Sequence, residues 1–181
     1  MESDEKLLKS ALGGDEESFT ALYRRRNGPV YRFALHMSGD ADVAEDVTQE
    51  VFMALLESGR RFDSSRGTLL SFLYGIARHR VLRRIETRQP EELELAEEAA
   101  AVDDLLDGLT RRETIEEVRR AVLSLPPVYR EAVALCDLED VSYEAAAAAL
   151  GCPVGTVRSR LSRGRAMLAQ KLEPRAVRSL L

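Results

Sequence analysis

The sequence contains few of the residues that stabilise secreted or metal-bound domains. It has no tryptophan, two cysteines and two histidines among 181 residues, and aromatic side chains make up 6% of the chain. Cys136 and Cys152 form no CxxC motif and have no neighbouring histidine, so we expect reduced thiols, with no disulfide, metal or other cofactor. The low aromatic content favours small all-α units over a β-sandwich.

Long hydrophobic runs are also absent. No uninterrupted apolar stretch reaches the ~20 residues that a transmembrane helix needs, and the acidic start MESDEKLL lacks the basic and apolar regions of a signal peptide. We therefore expect a cytoplasmic protein with no membrane span. The sequence shows no nucleophile and base pair, phosphate loop or metal-ligand spacing, so we expect neither an enzyme nor a small-molecule substrate.

Positive charge is in the minority but is concentrated locally. The formal net charge is -5, yet the segment from Pro153 to Arg178 carries seven basic residues against the single acid Glu173. An acidic chain does not bind nucleic acid indiscriminately, because attraction to phosphate follows local positive charge. Any DNA binding must therefore come from patches of this kind.

The segment from Val141 to Leu168 predicts two short helices joined by a tight turn. Ser142 can cap the first helix, Gly151 suits the left-handed position that ends it, and Pro153 fits the first turn of the second. The second helix has an apolar stripe at helical spacing and an opposite face of hydroxyl and guanidinium groups. The members of that face are Thr156, Arg158, Ser159, Ser162 and Arg163. Such a face fits the DNA major groove, although an ordinary helical hairpin with a solvated basic side remains the alternative.

The run LPPVYREAVALCDLEDVSYEAAAAALGCPVGTVRSRLSRGRAML resembles a known family. It is similar to the C-terminal promoter-binding domain of bacterial RNA polymerase sigma factors of the extracytoplasmic-function (ECF) group, most specifically in PVGTVRSRLSRGR. The resemblance implies a helix-turn-helix that contacts the minus-thirty-five promoter element. The implied DNA contacts are Thr156, Arg158, Ser159, Arg160, Ser162 and Arg163.

A second basic segment lies in the N-terminal half. The pattern predicts a loop from Glu57 to Thr68 and a helix from Leu69 to Arg84, whose C-terminal part is crowded with the cationic or titratable residues Arg78, His79, Arg80, Arg83 and Arg84. Helix-dipole interactions explain some of them. Together with nearby aromatic residues, of which we place Tyr74 at the edge of the core, they supply the charge and stacking faces that single-stranded DNA needs.

The segment TLLSFLYGIARHRVLRR resembles the sigma-factor element that opens and recognises the minus-ten promoter region. The resemblance implies that the Asp63 to Ser71 loop holds an unstacked base. The implied DNA contacts are Phe72, Arg78, His79, Arg80 and Arg83. Sigma factors commonly carry Trp at the position of Phe72 and Asn at that of His79, so this chain departs from the usual pattern at both.

An acidic helix precedes this basic segment. In DADVAEDVTQEVFMALLES, apolar residues from Val43 to Leu55 recur at intervals of four, and acidic and amide groups lie mostly off that face. A solvated acidic face is the simpler interpretation. The sigma-factor resemblance implies instead that Asp46, Gln49 and Glu50 dock on a coiled coil of the largest polymerase subunit.

The sequence predicts two domains and a connector. Residues 89–107 contain no Lys or Arg, which indicates an acidic linker, although their Glu, Ala and Leu content also permits a further helix. We predict an all-α protein with a first helical domain over 1–88, an acidic linker over 89–110 and a helix-turn-helix domain over 111–181. Within the first domain, Asn27-Gly28-Pro29 predicts a kink or a break in a long helix.

Three functions fit these features. The first is a promoter-specificity subunit that binds core RNA polymerase and promoter DNA, with an anti-sigma factor as a further partner implied by the resemblance. The second is a helix-turn-helix regulator with an N-terminal sensor or dimerisation domain. The third is a helical adaptor that binds only protein. A regulator would bind palindromic duplex as a dimer, whereas a sigma factor binds asymmetric sites with polymerase.

Overall fold

A computed structural model describes residues 2–87 and 106–176, with side chains described over 2–87 and 114–172. These ranges are helical and contain no strand. The helices are α1 Asp4–Ala11, α2 Glu16–Ser38, α3 Ala41–Ser58, α4 Leu69–Thr87, α5 Leu106–Leu123, α6 Pro127–Val133, α7 Tyr143–Leu150 and α8 Val154–Ala176. Two 3-10 turns, Gly59–Arg61 and Ser64–Arg66, connect α3 to α4, and a π-helical turn, Ala134–Leu138, extends α6. The all-α prediction is confirmed.

The helix ends lie where the capping residues predict them. The side chains of Asp15, Asp40 and Ser142 accept hydrogen bonds from the first free backbone N–H groups of α2, α3 and α7. Gly39 and Gly151 end α2 and α7 in the left-handed conformation, with φ of 73° and 61°. Local sequence therefore sets these boundaries.

Helix α2 continues through Pro29 for 23 residues, so of the predicted kink or break the break does not occur. A proline inside a helix costs about 3 kcal/mol. The residues that follow it include Val30, Phe33 and Ala34, all with no exposed surface. Burial of such side chains contributes about 1.5–3 kcal/mol for each large one, which offsets the loss of one backbone hydrogen bond.

Helices α1 to α4 form the N-terminal unit, which packs around α2. Arg25 and Arg26 of α2 both pair with Asp4, at 2.8 and 2.6 Å, and fix α1. The ring of Tyr74 lies 5.2 Å from that of Phe33 and is 1% exposed. The prediction that Tyr74 lies at the edge is therefore wrong, and this ring does not face solvent.

Helices α5 to α8 form the C-terminal unit. Helix α5 begins at Leu106, inside the predicted 89–110 linker, and residues 88–105 lie outside the described residues. The core of this unit includes Leu125, Val133 and Leu161. Val128 is 42% exposed, because the face of α6 that turns inward carries Glu131, Ala132 and Val133.

The two units pack against each other. One apolar cluster includes Phe33 and Leu73 of the N-terminal unit together with Leu135, Ala146 and Val157 of the C-terminal unit. Helix α7 lies on α4, and α5 contacts α2. The first helix of the predicted helix-turn-helix thus rests on the helix predicted to contact the minus-ten element.

Two glycines of α8 predict opposite effects of one substitution. A Cβ at Gly164 would lie 2.8 Å from Val133 Cγ2, whereas one at Gly155 would meet nothing within 4 Å. We expect Gly164→Ala to force α8 away from α6 and to lower the free energy of unfolding by about 1–3 kcal/mol. We expect Gly155→Ala to be neutral or to raise it by up to about 1 kcal/mol, since alanine favours the helix. Urea unfolding followed by circular dichroism measures both, and a Gly164→Ala variant as stable as the parent would contradict the close packing.

Candidate nucleic-acid interface

The solvent side of α8 carries the predicted basic and hydroxylated face. Val157 and Leu161 are buried at 0% and 2% exposure and anchor the opposite side of the helix. The exposed residues of the face are Arg158, Ser159, Ser162 and Arg163, and Thr156 is half-buried beside them. The surface is therefore open over more than one helical turn.

Arg158 is held above an aromatic ring. Its guanidinium carbon lies 5.6 Å from the centroid of Tyr143 in α7, a cation–π contact that restrains a long side chain without covering its donors. The Ser159 hydroxyl donates to the carbonyl oxygen of Thr156 at 3.0 Å, which leaves its oxygen free to accept. The face thus presents arginine forks and small hydroxyls, the groups that bind base edges and phosphates.

Arg160 points away from this face. It is half-buried, and its Nη1 lies 3.9 Å from Oε2 of Glu131 in α6. Arg165 pairs with Asp137 at 2.6 Å, and the hydrogen bonds that its guanidinium donates to that carboxylate raise the pKa of Arg165. Arg160 and Arg165 therefore pair with carboxylates of the C-terminal unit in this structure. The DNA contact assigned to Arg160 stays a prediction that would need this side chain to turn.

On α4, the five residues predicted to contact DNA lie in different surroundings. His79 and Arg83 are exposed, whereas Phe72 is half-buried with its ring 5.7 Å from that of Phe62. Arg78 Nε lies 2.9 Å from Oε1 of Glu131, an ion pair without hydrogen-bond geometry. In this arrangement His79 and Arg83 are accessible to solvent, whereas Arg78 is paired with Glu131 of the C-terminal unit.

The acidic face of α3 and the basic end of α4 bind each other. Arg84 donates to Glu50 at 2.6 Å and lies 3.9 Å from Asp46, and Arg80 lies 3.5 Å from Glu50. The hydrogen bond from Arg84 outweighs burial and holds the pKa of Glu50 below its usual value. Gln49 is exposed, and 68% of the Asp46 side chain is in contact with solvent.

The exposed side of α3 also carries apolar groups that the sequence analysis did not single out. Met53 is 61% exposed and Leu56 is 46% exposed. Their spacing from Asp46 and Gln49 places all four on one face of the helix. This face, residues 46, 49, 53 and 56, combines polar and apolar groups as protein-binding surfaces do.

A cavity of about 700 Å³ lies between the loop before α4 and the turn between α7 and α8. Arg61, Arg66 and Phe72 line one side, and Glu144 and Cys152 line the other. Gly67 in this loop has φ of 152°, and a Cβ there would lie 3.0 Å from that of Ala148. The loop predicted to hold an unstacked base thus faces the helix-turn-helix across this cavity, and Asp63 to Arg66 remain exposed.

Sequence reasoning missed two glutamates with buried side chains, Glu131 and Glu139, and the half-buried Arg130. Side chains of the two glutamates are 1% exposed. Arg130 donates to the carbonyl oxygens of Met37, at 2.6 Å, of Leu125, at 3.0 Å, and of Leu123, and burial lowers its pKa. Charged side chains on short helices are normally solvated, so no local pattern indicates this burial.

Other kinds of site find no support in the residues that the structure describes. Within 2–87 and 106–176, no group of three or more His, Cys, Asp or Glu side chains could hold a metal ion. No helix in those ranges has both the length and the apolar character required to cross a bilayer.

Two family models match the chain. Residues 22–91 match Sigma-70 region 2, and residues 115–168 match Sigma-70, region 4. The chain is 35% identical to the ECF RNA polymerase sigma factor SigC of Mycobacterium tuberculosis, with 93% of this chain and 90% of that protein covered. It is 32% identical to the ECF RNA polymerase sigma-E factor of Escherichia coli, with 95% of each covered.

A longer relative and two solved structures are also similar to this chain. The chain is 35% identical to SigE of Mycolicibacterium smegmatis over 86% of its own length but spans only 62% of that protein. The sigma factor RpoE of Bartonella quintana, solved in complex with the anti-sigma factor NepR, matches with a TM-score of 0.66 and 25% identity over 87% of this chain and 98% of that one. CnrH, solved with the cytosolic domain of CnrY, shares the fold, with a TM-score of 0.73 at 24% identity over 96% and 99%.

The fold and the matched regions define a transcription initiation factor. The chain belongs to the ECF group of RNA polymerase sigma factors, which direct polymerase to promoters. The resemblance noted from PVGTVRSRLSRGR is confirmed, and the alternative of a helix-turn-helix regulator is not favoured. The roles assigned to individual residues are not tested by these comparisons and stay predictions.

Proposed function

We propose that this chain contacts two promoter elements with two separate helices while a third helix holds core RNA polymerase. In this proposal α8 contacts the minus-thirty-five element, and α4 with the loop before it contacts the minus-ten element. In this proposal the first domain covers residues 1–88, and the second, predicted over 111–181, starts with α5 at Leu106. Initiation then depends on both units binding one stretch of DNA.

The observation that carries the proposal is the open face of α8. Arg158 and Arg163 are exposed on it, and the small side chains of Ser159 and Ser162 allow a close approach to the DNA backbone. Helix α7, eight residues long, and the left-handed Gly151 set the angle at which α8 leaves. In helix-turn-helix proteins, the second helix of such a pair enters the major groove. Helix α8 would take that place here.

Core polymerase would bind α3. The face formed by residues 46, 49, 53 and 56 is exposed and unites a carboxylate and an amide with two apolar side chains. Apolar groups supply most of the binding energy of such a surface, while charges guide the encounter. Glu50 would contact the polymerase directly and would also hold Arg84 in place next to this face.

Regulation by an anti-sigma factor is also part of the proposal. Relatives of the same fold were solved with the cytosolic domain of CnrY and with the anti-sigma factor NepR. Exposed apolar residues of the C-terminal unit, Ile115, Val128 and Leu138, offer surface for such a partner. The chemistry of RNA synthesis belongs to the polymerase, and the place of action is the bacterial cytoplasm.

Run-off transcription tests the proposal. Purified chain and core polymerase are combined with a library of promoter fragments, and RNA is measured with and without the chain. We expect specific transcripts only when the chain is present, from fragments whose two conserved blocks lie at a fixed spacing. Failure to initiate on any fragment, with folded protein and active core, would contradict the proposal.

A further inference from the structure

Glu139 of the C-terminal unit lies in a basic socket built by the N-terminal unit. Arg32 of α2 donates two hydrogen bonds to its carboxylate, from Nε at 3.0 Å and from Nη2 at 2.8 Å. His36, one turn later on α2, brings Nε2 to 3.6 Å from the same carboxylate. The Glu139 side chain is 1% exposed, so the socket encloses it almost completely.

The electrostatics keep this carboxylate charged. Burial raises the pKa of Glu139, but the nearby His36 imidazole and the hydrogen bonds from Arg32 outweigh that effect and leave the pKa below its usual value. Tyr74 also borders the group, and its pKa is raised chiefly by burial and further by the Glu139 charge. A charged carboxylate out of water requires its partners, so Glu139 ties the position of one unit to the other.

Two further polar contacts cross between the units. Arg78 of α4 pairs with Glu131 of α6 at 2.9 Å. Arg130 donates to the carbonyl oxygen of Met37 near the C-terminal end of α2 at 2.6 Å, where the helix dipole favours a cation. The first contact fixes α6 against α4, and the second fixes it against α2.

Small side chains bring the backbones of the two units close. A Cβ at Gly75 of α4 would lie 3.3 Å from the carbonyl oxygen of Ala149 in α7. Ala146 and Ala149 are 0% and 7% exposed. Helix α7 therefore lies directly on α4 and leaves no room for a strand of DNA between them.

We propose that the structure is a self-inhibited state of the chain, latched by Glu139 in the socket of Arg32 and His36, and that this latch must open before α4 can bind single-stranded DNA. The DNA part of the inference rests on the function proposed above, because it needs α4 as the minus-ten surface. The latch itself rests only on contacts between the units.

The chemistry of the latch suits a contact that opens. Buried ion pairs give little net stability, because the cost of removing both charges from water cancels most of their attraction. The same pair gives a well-defined geometry, since two hydrogen bonds from one guanidinium fix the carboxylate. Separation returns Glu139 to water beside Arg32, which is already half-exposed, so this ion pair fixes the closed geometry while contributing little to its stability.

Small-angle X-ray scattering of the full chain tests the latch. We expect Glu139→Gln and Arg32→Ala each to increase the radius of gyration above the value of about 16 Å for a compact chain of this length. Arg32 is half-exposed, so its variant keeps the folded units even if the buried substitution does not. Glu116→Gln on α5 is the matched control, because it removes an exposed carboxylate within one unit and should leave the radius unchanged. An Arg32→Ala variant as compact as the parent overturns the latch.

Binding of a labelled single-stranded DNA of mixed sequence tests the occlusion separately. If one molecule in ten is open in the parent, the open variants should bind about tenfold more tightly, because apparent affinity scales with the open fraction. Fluorescence anisotropy at low salt measures the change, and Glu116→Gln should bind as the parent does. Variants that open in scattering but gain no affinity would refute the assignment of α4 to DNA while the latch stands.

Discussion

Replacing Arg158 and Arg163 together by alanine should nearly abolish promoter-specific transcription. Both side chains are exposed on the open face of α8, so the variant should keep its fold. An arginine that binds guanine through two hydrogen bonds contributes about 1–3 kcal/mol, and 1.4 kcal/mol corresponds to a factor of ten. We therefore expect at least a tenfold loss of transcript from a promoter that the parent uses, measured by run-off transcription with core polymerase.

Two further sets of substitutions serve as controls for this prediction. Arg119→Ala removes an exposed arginine of α5, on another part of the surface, and should leave transcription unchanged. Arg158→Lys with Arg163→Lys keeps both charges but loses the planar fork, so it should recover only part of the activity. Full activity of the alanine variant would contradict a role of α8 in DNA recognition, and full activity of the lysine variant would restrict that role to phosphate contacts.

Local sequence predicted the helices and the exposed face of α8 well. Capping residues such as Asp40 and Ser142 act within one turn, and their hydrogen bonds are the ones the pattern implies. The apolar stripe through Val157 and Leu161 fixed which side of α8 is buried. Short-range interactions decide these features, so a single sequence contains them.

The helical periodicity of α8 also predicts that Arg160 points away from the exposed face. The basic composition of the motif led us to group this residue with the DNA contacts instead. Arg160 lies next to Leu161 and one turn before Gly164, whose site packs against Val133 of α6. Arg80 and Arg84 are one turn apart on α4 and meet Asp46 and Glu50, which are one turn apart on α3. Matched spacing on two adjacent helices was a signal for internal pairing that charge counts alone do not contain.

The contacts between the two units were beyond sequence reasoning. Arg32 and Glu139 are separated by 107 positions, and no local pattern links them. Burial of a glutamate depends on the partners that tertiary packing supplies, and those partners come from another unit. Helix-forming composition, such as the alanine run of α7, predicts that a helix exists but not that it packs on α4.

Glu131 should be the most costly polar residue to change in the C-terminal unit. Its carboxylate is 1% exposed and lies between Arg78 of α4, at 2.9 Å, and Arg160 of α8, at 3.9 Å. Removing one partner of a fully buried pair costs about 3–5 kcal/mol. The two arginines are 20% and 26% exposed, so water can solvate part of what they lose. We expect Glu131→Gln to lower the free energy of unfolding by a value near the bottom of that range.

Urea unfolding of Glu131→Gln, with Glu116→Gln as the matched control, measures this cost. The control changes an exposed carboxylate in the same way and should shift stability by less than about 0.5 kcal/mol. A double-mutant cycle with Arg78→Ala then separates the contact between the units from the one within the C-terminal unit. If both arginines share the carboxylate, Glu131→Gln should remain destabilising in the Arg78→Ala background, but less so. A loss of the same size in both backgrounds would mean that Glu131 acts only on Arg160, and the closed arrangement would then depend on Glu139 and Arg130 for its polar contacts.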